Sequence, residues 1–184
     1  RARTKELSIA NRQLRELAYI DPLTGIANRR HFWEQFEQST KDADGWLLIL
    51  DIDNFKQLND HFGHVTGDLA LQHFAECCQN SLAEGDYIGR IGGEEFVLLL
   101  PETDDEGVAR VIERCRSEIE CSPITLQSGE VLPVSASIGV TIRTPGDEAD
   151  EAELLARADE MLYRAKTAGR NRVEFWSDPA VAAC

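Results

Sequence analysis

Four carboxylates stand where apolar runs end. Asp51 and Asp53 close "GWLLILDID" (45–53), and Glu94 and Glu95 follow two glycines in "RIGGEEFVLLLP" (90–101). Acids in such company cost folding free energy unless something neutralises them. If the first run is a strand beside the hairpin formed by the second, the acids converge at one end of a sheet. Like charges that close repel and raise one another's pKa values. Bound Mg²⁺ or Mn²⁺ removes the penalty, because hard cations choose oxygen ligands. Gly92 and Gly93 fit the same picture, since backbone without side chains lets a ligand come close. A solvated β-turn with surface acids explains the two glutamates, but not two glycines and two acids between strands this apolar.

Cations that could face such a site occur twice. Lys56 lies just beyond the acidic strand end, and Lys166 and Arg170 are four apart around the end of the last helix, a spacing that can point both the same way. Three cations near a metal-binding acid pair would suit a triphosphate. Taken alone, Lys166 and Arg170 read better as solvated charges favoured by the helix dipole at its C-terminus.

The elements that must position these groups are legible in outline. Leu7, Ala10, Leu14 and Leu17 form an a/d seam, too short for a coiled coil alone but sensible as the tail of a longer helical stalk. We therefore expect a stalk over 1–20, a catalytic domain over 21–177 and a tail over 178–184. "DPLTGIANRR" (21–30) breaks the helix at Pro22 and Gly25 and restarts one near Asn28, with Phe32, Trp33 and Phe36 on a single face. After the strand at 45–53 come a short helix, a break at Gly63 and a second helix to about residue 83. "DYIGRI" and "EFVLLLP" read as strands joined by the glycine turn. Thr103 and Glu106 have capping-box spacing for a helix with Val108, Val111, Ile112, Cys115 and Ile119 inward. Residues 131–142 alternate as one half-buried strand, 151–168 as a helix capped by Gly169, and "RVEFW" as a last strand. The order predicts an α+β fold with a largely antiparallel sheet.

Composition excludes several functions. With 19 basic and 33 acidic residues the net charge is −14, which argues against a general nucleic-acid or anionic-membrane surface. No stretch reaches the roughly 18 continuous apolar residues of a membrane span, and the basic start lacks the apolar run of a signal peptide. Five cysteines, at 77, 78, 115, 121 and 184, have neither an even count nor metal-ligand spacing. They read as packed free thiols in a reducing cytoplasm. His61 and His64 lack the further ligands of a zinc site.

Together the motifs resemble the GGDEF domains, the diguanylate cyclases, in the Glu variant of their signature. "GGEEF" (92–96) matches that signature, "DPLTGIANRR" the entry motif, "DIDNFKQLNDHFGHVTGD" the metal-and-base block, and "ADEMLYRAKTAGRNRV" the closing helix. Four blocks in order, from Asp21 to Trp176, make the resemblance specific. It implies a five-stranded, mainly antiparallel sheet wrapped by helices, related to adenylyl cyclase and polymerase palm domains. It also implies an antiparallel homodimer, meeting through the catalytic face and the stalk, that condenses two GTP molecules into cyclic di-GMP. Two Mg²⁺ or Mn²⁺ ions per half-site would be held by Asp51, the Ile52 carbonyl, Glu94 and Glu95, the last also a candidate base. Lys56, Lys166 and Arg170 would hold the triphosphate, with Phe55, Gly92 and Gly93 lining the nucleotide, while Asn59 and Asp68 would read guanine. Asp53 has first a structural role, orienting the next helix. One departure stands out: the family's product-binding R-x-x-D pattern keeps its acid as Asp86, but Ala83 replaces the arginine.

Two other readings use the same residues. A degenerate module could bind GTP or cyclic di-GMP and regulate a partner, although such modules lose signature acids that this chain keeps. A purely structural dimerisation domain would leave the acids at the strand ends unexplained.

Overall fold

The computed structural model describes residues 19–101 and 103–177. The expected stalk seam at Leu7, Ala10, Leu14 and Leu17 and the expected tail at 178–184 lie outside these residues. Within them the chain order is β1 (Ala27–Asn28), α1 (Arg29–Ser39), β2 (Gly45–Ile52), α2 (Phe55–Phe62), α3 (His64–Asn80), β3 (Tyr87–Gly92) and β4 (Glu95–Pro101). Then follow α4 (Asp105–Cys121), β5 (Ile124–Thr125), β6 (Val131–Leu132), β7 (Ala136–Arg143), α5 (Glu151–Thr167) and β8 (Val173–Phe175).

The main sheet runs β1-β3-β4-β2-β7-β8. Its three central pairings are antiparallel and the two outer ones parallel. The expected α+β class and mainly antiparallel sheet hold. The sheet has six strands among the described residues rather than five, the addition being the two-residue β1 on its edge.

Strand β2 is buried along its whole length, as a central strand covered on both faces must be. Side chains alternate across a strand, and the two cores follow that alternation. Leu48, Leu50, Phe96, Leu98, Ile138 and Val140 face a core completed by α2, α3 and α4, where Phe74, Val108, Ile112, Cys115 and Ile119 pack. Leu47, Ile49, Val97 and Leu99 face the opposite core, completed by Phe32, Trp33 and Phe36 of α1 and Leu154, Ala158 and Leu162 of α5. The helices therefore sandwich the sheet. The aromatic face expected on α1 is the one that is buried, and Asn28 caps that helix by accepting from the His31 amide.

Three local expectations need correction. The helix at 105 is capped by Asp104, whose Oδ1 accepts from the Gly107 amide at 2.7 Å, not by Thr103. Thr103 is engaged elsewhere: its hydroxyl donates to the Pro101 carbonyl, and its own carbonyl accepts from the Trp46 indole at 2.9 Å. Residues 131–142 form two strands in different sheets, β6 pairing with β5 and β7 with β2 and β8. Pro133, which lacks an N–H for a ladder, stands between them. Third, β7 is not half-buried, for Ala136 to Thr141 are buried throughout. Cys77, Cys78 and Cys115 are buried free thiols and Cys121 is an exposed one. Among the described residues no helix is long and apolar enough to cross a membrane.

Candidate active site

Strand register builds the acidic centre. Asp51 lies opposite Glu95 of β4 on one side and Ser137 of β7 on the other. Odd-numbered residues of β2 and β4 face α5, so Asp51 and Glu95 project from the face on which Leu47, Ile49, Val97 and Leu99 pack. Helix α5 lies close there because Gly139 of β7 has no side chain. A Cβ at that position would fall 2.1 Å from the Ala158 carbonyl oxygen and 2.4 Å from the Leu162 nitrogen. One helical turn beyond Leu162 comes Lys166, whose Nζ stands 3.0 Å from Asp51 Oδ1.

The electrostatics of this centre are those of a charge deficit. Asp51 is only 6% exposed, and its carboxyl is pushed up to about 6, first by burial and then by the charges of Glu94 and Glu95, against the pull of Lys166. Glu95 is also raised, by burial, then by Asp159 and Glu94. Asp159 was missed by sequence reasoning. Its signal was available, because it precedes Lys166 by seven residues, two helical turns, and so shares its side of α5. Lys166 neutralises Asp51 but leaves the remaining acids short of positive charge.

The donor set suits a hard divalent cation, being carboxylate oxygen with the Ile52 carbonyl nearby in the chain. Among the described residues no three acidic, histidine or cysteine side chains are gathered into a cage. Any such ion would need oxygens from a ligand as well, as Mg²⁺ commonly does with phosphates.

The glycine turn is braced from the entry motif. Arg90 donates from Nε to the Gly93 carbonyl at 2.9 Å and from Nη1 to both Asp21 oxygens at 3.2 Å. Asp21 also accepts from the Thr24 amide and hydroxyl. Burial works against its ionisation, but Thr24 and Arg90 together hold its carboxyl below the usual range. The "DPLTG" motif thus supports the hairpin turn that presents Glu94 and Glu95. Arg90 is committed to that brace rather than to the position where Ala83 lacks an arginine. There the Asp86 carboxylate accepts from the Ala83 amide at 2.8 Å.

The expected base-reading pair sits at the corner between α2 and α3, where Gly63 turns the chain at φ +83°. Asn59 Oδ1 is buried without a hydrogen-bond partner. It lies so close over Gly67 of α3 that a Cβ there would fall 1.8 Å from it. Asp68 follows Gly67 and is exposed, whereas the Asn59 oxygen is covered. Phe55 is buried at the start of α2 and Lys56 beside it is exposed.

Two residues differ from expectation. Asp53 was expected to orient the next helix, but its carboxylate is held instead by the serines at the start of β7 and by the turn after α5. Its carboxylate accepts from Ser137 Oγ at 2.6 Å, Ser135 Oγ at 2.7 Å and the Asn171 amide at 3.0 Å. Arg170 does not continue α5, so the i,i+4 relation with Lys166 fails. The helix ends at Thr167, Gly169 takes φ +119°, and Arg170 and Asn171 are left-handed at +64° and +48°. The Arg170 amide turns back to the Ala165 carbonyl at 3.0 Å, the closure of a Schellman-type end.

These features agree with the comparisons. Residues 18–172 match the family described as "Diguanylate cyclase, GGDEF domain", and the chain belongs to that family. It is 45% identical over 165 residues to diguanylate cyclase DgcP of Pseudomonas aeruginosa, covering 87% of this chain and 24% of that protein. Identity to the response regulator PleD of Caulobacter vibrioides is 42% over 164 residues, covering 86% of this chain and 36% of PleD. The chain therefore spans well under half the length of these relatives. Among solved structures, the coiled coil and GGDEF domain of Caulobacter crescentus DgcB, in complex with c-di-GMP, superposes with a TM-score of 0.87 at 31% identity. That match covers 95% of this chain and 94% of the other.

Proposed function

We propose that this chain is an active diguanylate cyclase, condensing two GTP molecules into cyclic di-GMP and two diphosphates across a homodimer. The observation that carries the reading is the Asp51–Lys166 pair at 3.0 Å beside Glu94 and Glu95, a buried-edge cluster whose acids exceed its cations. The retention of every signature acid and of all three candidate phosphate-binding cations, Lys56, Lys166 and Arg170, favours it over a regulatory module.

In each half of the reaction the 3′-oxygen of one GTP bonds to the α-phosphorus of the other. The bond from that phosphorus to the bridging oxygen breaks, and diphosphate leaves. The 3′-hydroxyl proton must be taken up, and Glu95, whose pKa is raised by burial and by neighbouring acids, is suited to accept it. Mg²⁺ or Mn²⁺ held by Asp51, Glu94 and the Ile52 carbonyl would lower the hydroxyl's pKa and offset charge on the phosphates. Lys56, Lys166 and Arg170 orient the triphosphate and stabilise the leaving diphosphate. Phe55, Gly92 and Gly93 shape the nucleotide bed, the glycines by admitting it close to the backbone. Asn59 and Asp68 select the base: Asp68 accepts from guanine N1–H and the 2-amino group, whereas adenine offers a lone pair at N1. Because each subunit holds one GTP, the two sites must face one another, and dimerisation supplies proximity.

Diphosphate release from GTP and from ATP, each with Mg²⁺, tests this reading. GTP should be turned over at least about 100-fold faster, as expected when a hydrogen-bonding site meets the wrong polar edge. The specific rate should rise with protein concentration through the range where the dimer forms. Equal rates on the two nucleotides, or a full rate from a monomer, would contradict it.

A further inference from the structure

The turn that carries Arg170 is clamped from two directions through the next residue. From the sheet, Asp53 accepts the Asn171 amide at 3.0 Å. From α4, Arg116 Nη1 donates to Asn171 Oδ1 at 2.8 Å, and Asn171 Nδ2 donates to Glu120 Oε1 at 2.8 Å. Arg116 is itself fixed by Glu113 and Glu120, at 2.6 and 2.7 Å, and its side chain is 17% exposed. Every polar atom of the Asn171 side chain therefore meets α4, and its amide N–H meets Asp53.

The conformation needs such a clamp. Two successive non-glycine residues in the left-handed region cost free energy and persist only when their surroundings over-determine them. Asparagine tolerates that region better than most residues, and here its side chain is also the contact. The preceding residue is Arg170, so fixing Asn171 fixes where Arg170 leaves the backbone.

We propose that Asn171 is a positioning residue which, held by Arg116 and Glu120, sets Arg170 for the triphosphate and couples helix α4 to the phosphate site. This rests on the cyclase reading for what Arg170 touches, but the clamp itself is independent of it. A cleft of about 500 Å³ opens beside Asp53, Glu120 and Asn171. Water reaches the clamp there, so each contact contributes modestly and the effect comes from their joint geometry.

The test reverses one hydrogen bond and then restores it. Asn171→Asp keeps size and left-handed tolerance and keeps the acceptor for Arg116, but sets an acceptor against Glu120. Adding Glu120→Gln returns a donor to that contact. Two readouts are followed: hydrogen exchange at the Arg170 amide without nucleotide, and calorimetric affinity for a non-hydrolysable GTP analogue with Mg²⁺. Asn171→Asp should speed exchange and weaken the analogue about tenfold each, and the double variant should recover to within about threefold of the parent. Asn171→Gly, which keeps the backbone but lacks the side chain, should resemble the single variant and serves should Asn171→Asp fold poorly. Weakening of the analogue without recovery in the double variant, or unchanged exchange in Asn171→Asp and Asn171→Gly alike, overturns the proposal. If exchange responds and recovers while the parent ignores the GTP analogue, the clamp stands and the cyclase reading fails.

Discussion

Asn in place of Asp51 should abolish turnover and, without divalent metal, make the protein more stable. The folded carboxyl is raised to about 6 from an ordinary 3.8, so between those values the native state holds a proton that the unfolded chain has released. Stability therefore falls as pH rises through that window, and at pH 7.5 the full cost of a buried, crowded charge is present. The shift corresponds to about 3 kcal/mol, and relieving it should raise the melting temperature at pH 7.5 by about 6–12 °C. At pH 4 the parent side chain is itself largely protonated and the gap should close. Activity should fall by at least about three orders of magnitude, since a group aimed at developing charge is lost. Scanning calorimetry at the two pH values, beside diphosphate release, checks both halves. A variant less stable than the parent at pH 7.5, or one that still turns over GTP, would contradict the assignment of Asp51.

The second large effect is expected at Gly139, away from any ligand. A methyl group there would meet the α5 backbone at 2.1 and 2.4 Å, which a flexible side chain cannot relieve. Either α5 lifts off β7 or the strand bends, and overpacking of this kind costs about 3 kcal/mol. Lifting α5 also carries Lys166 away from Asp51. Gly139→Ala should therefore lower the urea midpoint and weaken triphosphate binding together. Parental stability with weakened binding, or the reverse, would break the proposed link between the helix–strand contact and the site.

The acidic centre was legible in the sequence because its cause is local. Apolar runs that end in acids define strand ends, and strand periodicity fixes which face each acid takes. Pairing of Asp51 with Glu95 needed only the inference that the first strand neighbours the hairpin. Where a tertiary contact chose between local options, the sequence was insufficient. Thr103 and Asp104 are both competent helix caps, and the Trp46 indole on the Thr103 carbonyl goes with the choice of Asp104. The alternation across 131–142 runs through Pro133 without showing that the two halves join different sheets. Asn171 was invisible as a positioning group for the same reason, its partners Asp53 and Glu120 lying 118 and 51 residues away. The spacing of Lys166 and Arg170 suggested that both point the same way, but the helix cap expected at Gly169 already turns the chain left-handed before Arg170.

The account turns most directly on what the purified chain makes from GTP. Incubated with GTP and Mg²⁺ at a concentration where the dimer forms, it should yield cyclic di-GMP, resolved by chromatography and mass, with two diphosphates released per product. Diphosphate without a cyclic dinucleotide, orthophosphate alone, or unchanged GTP would contradict it.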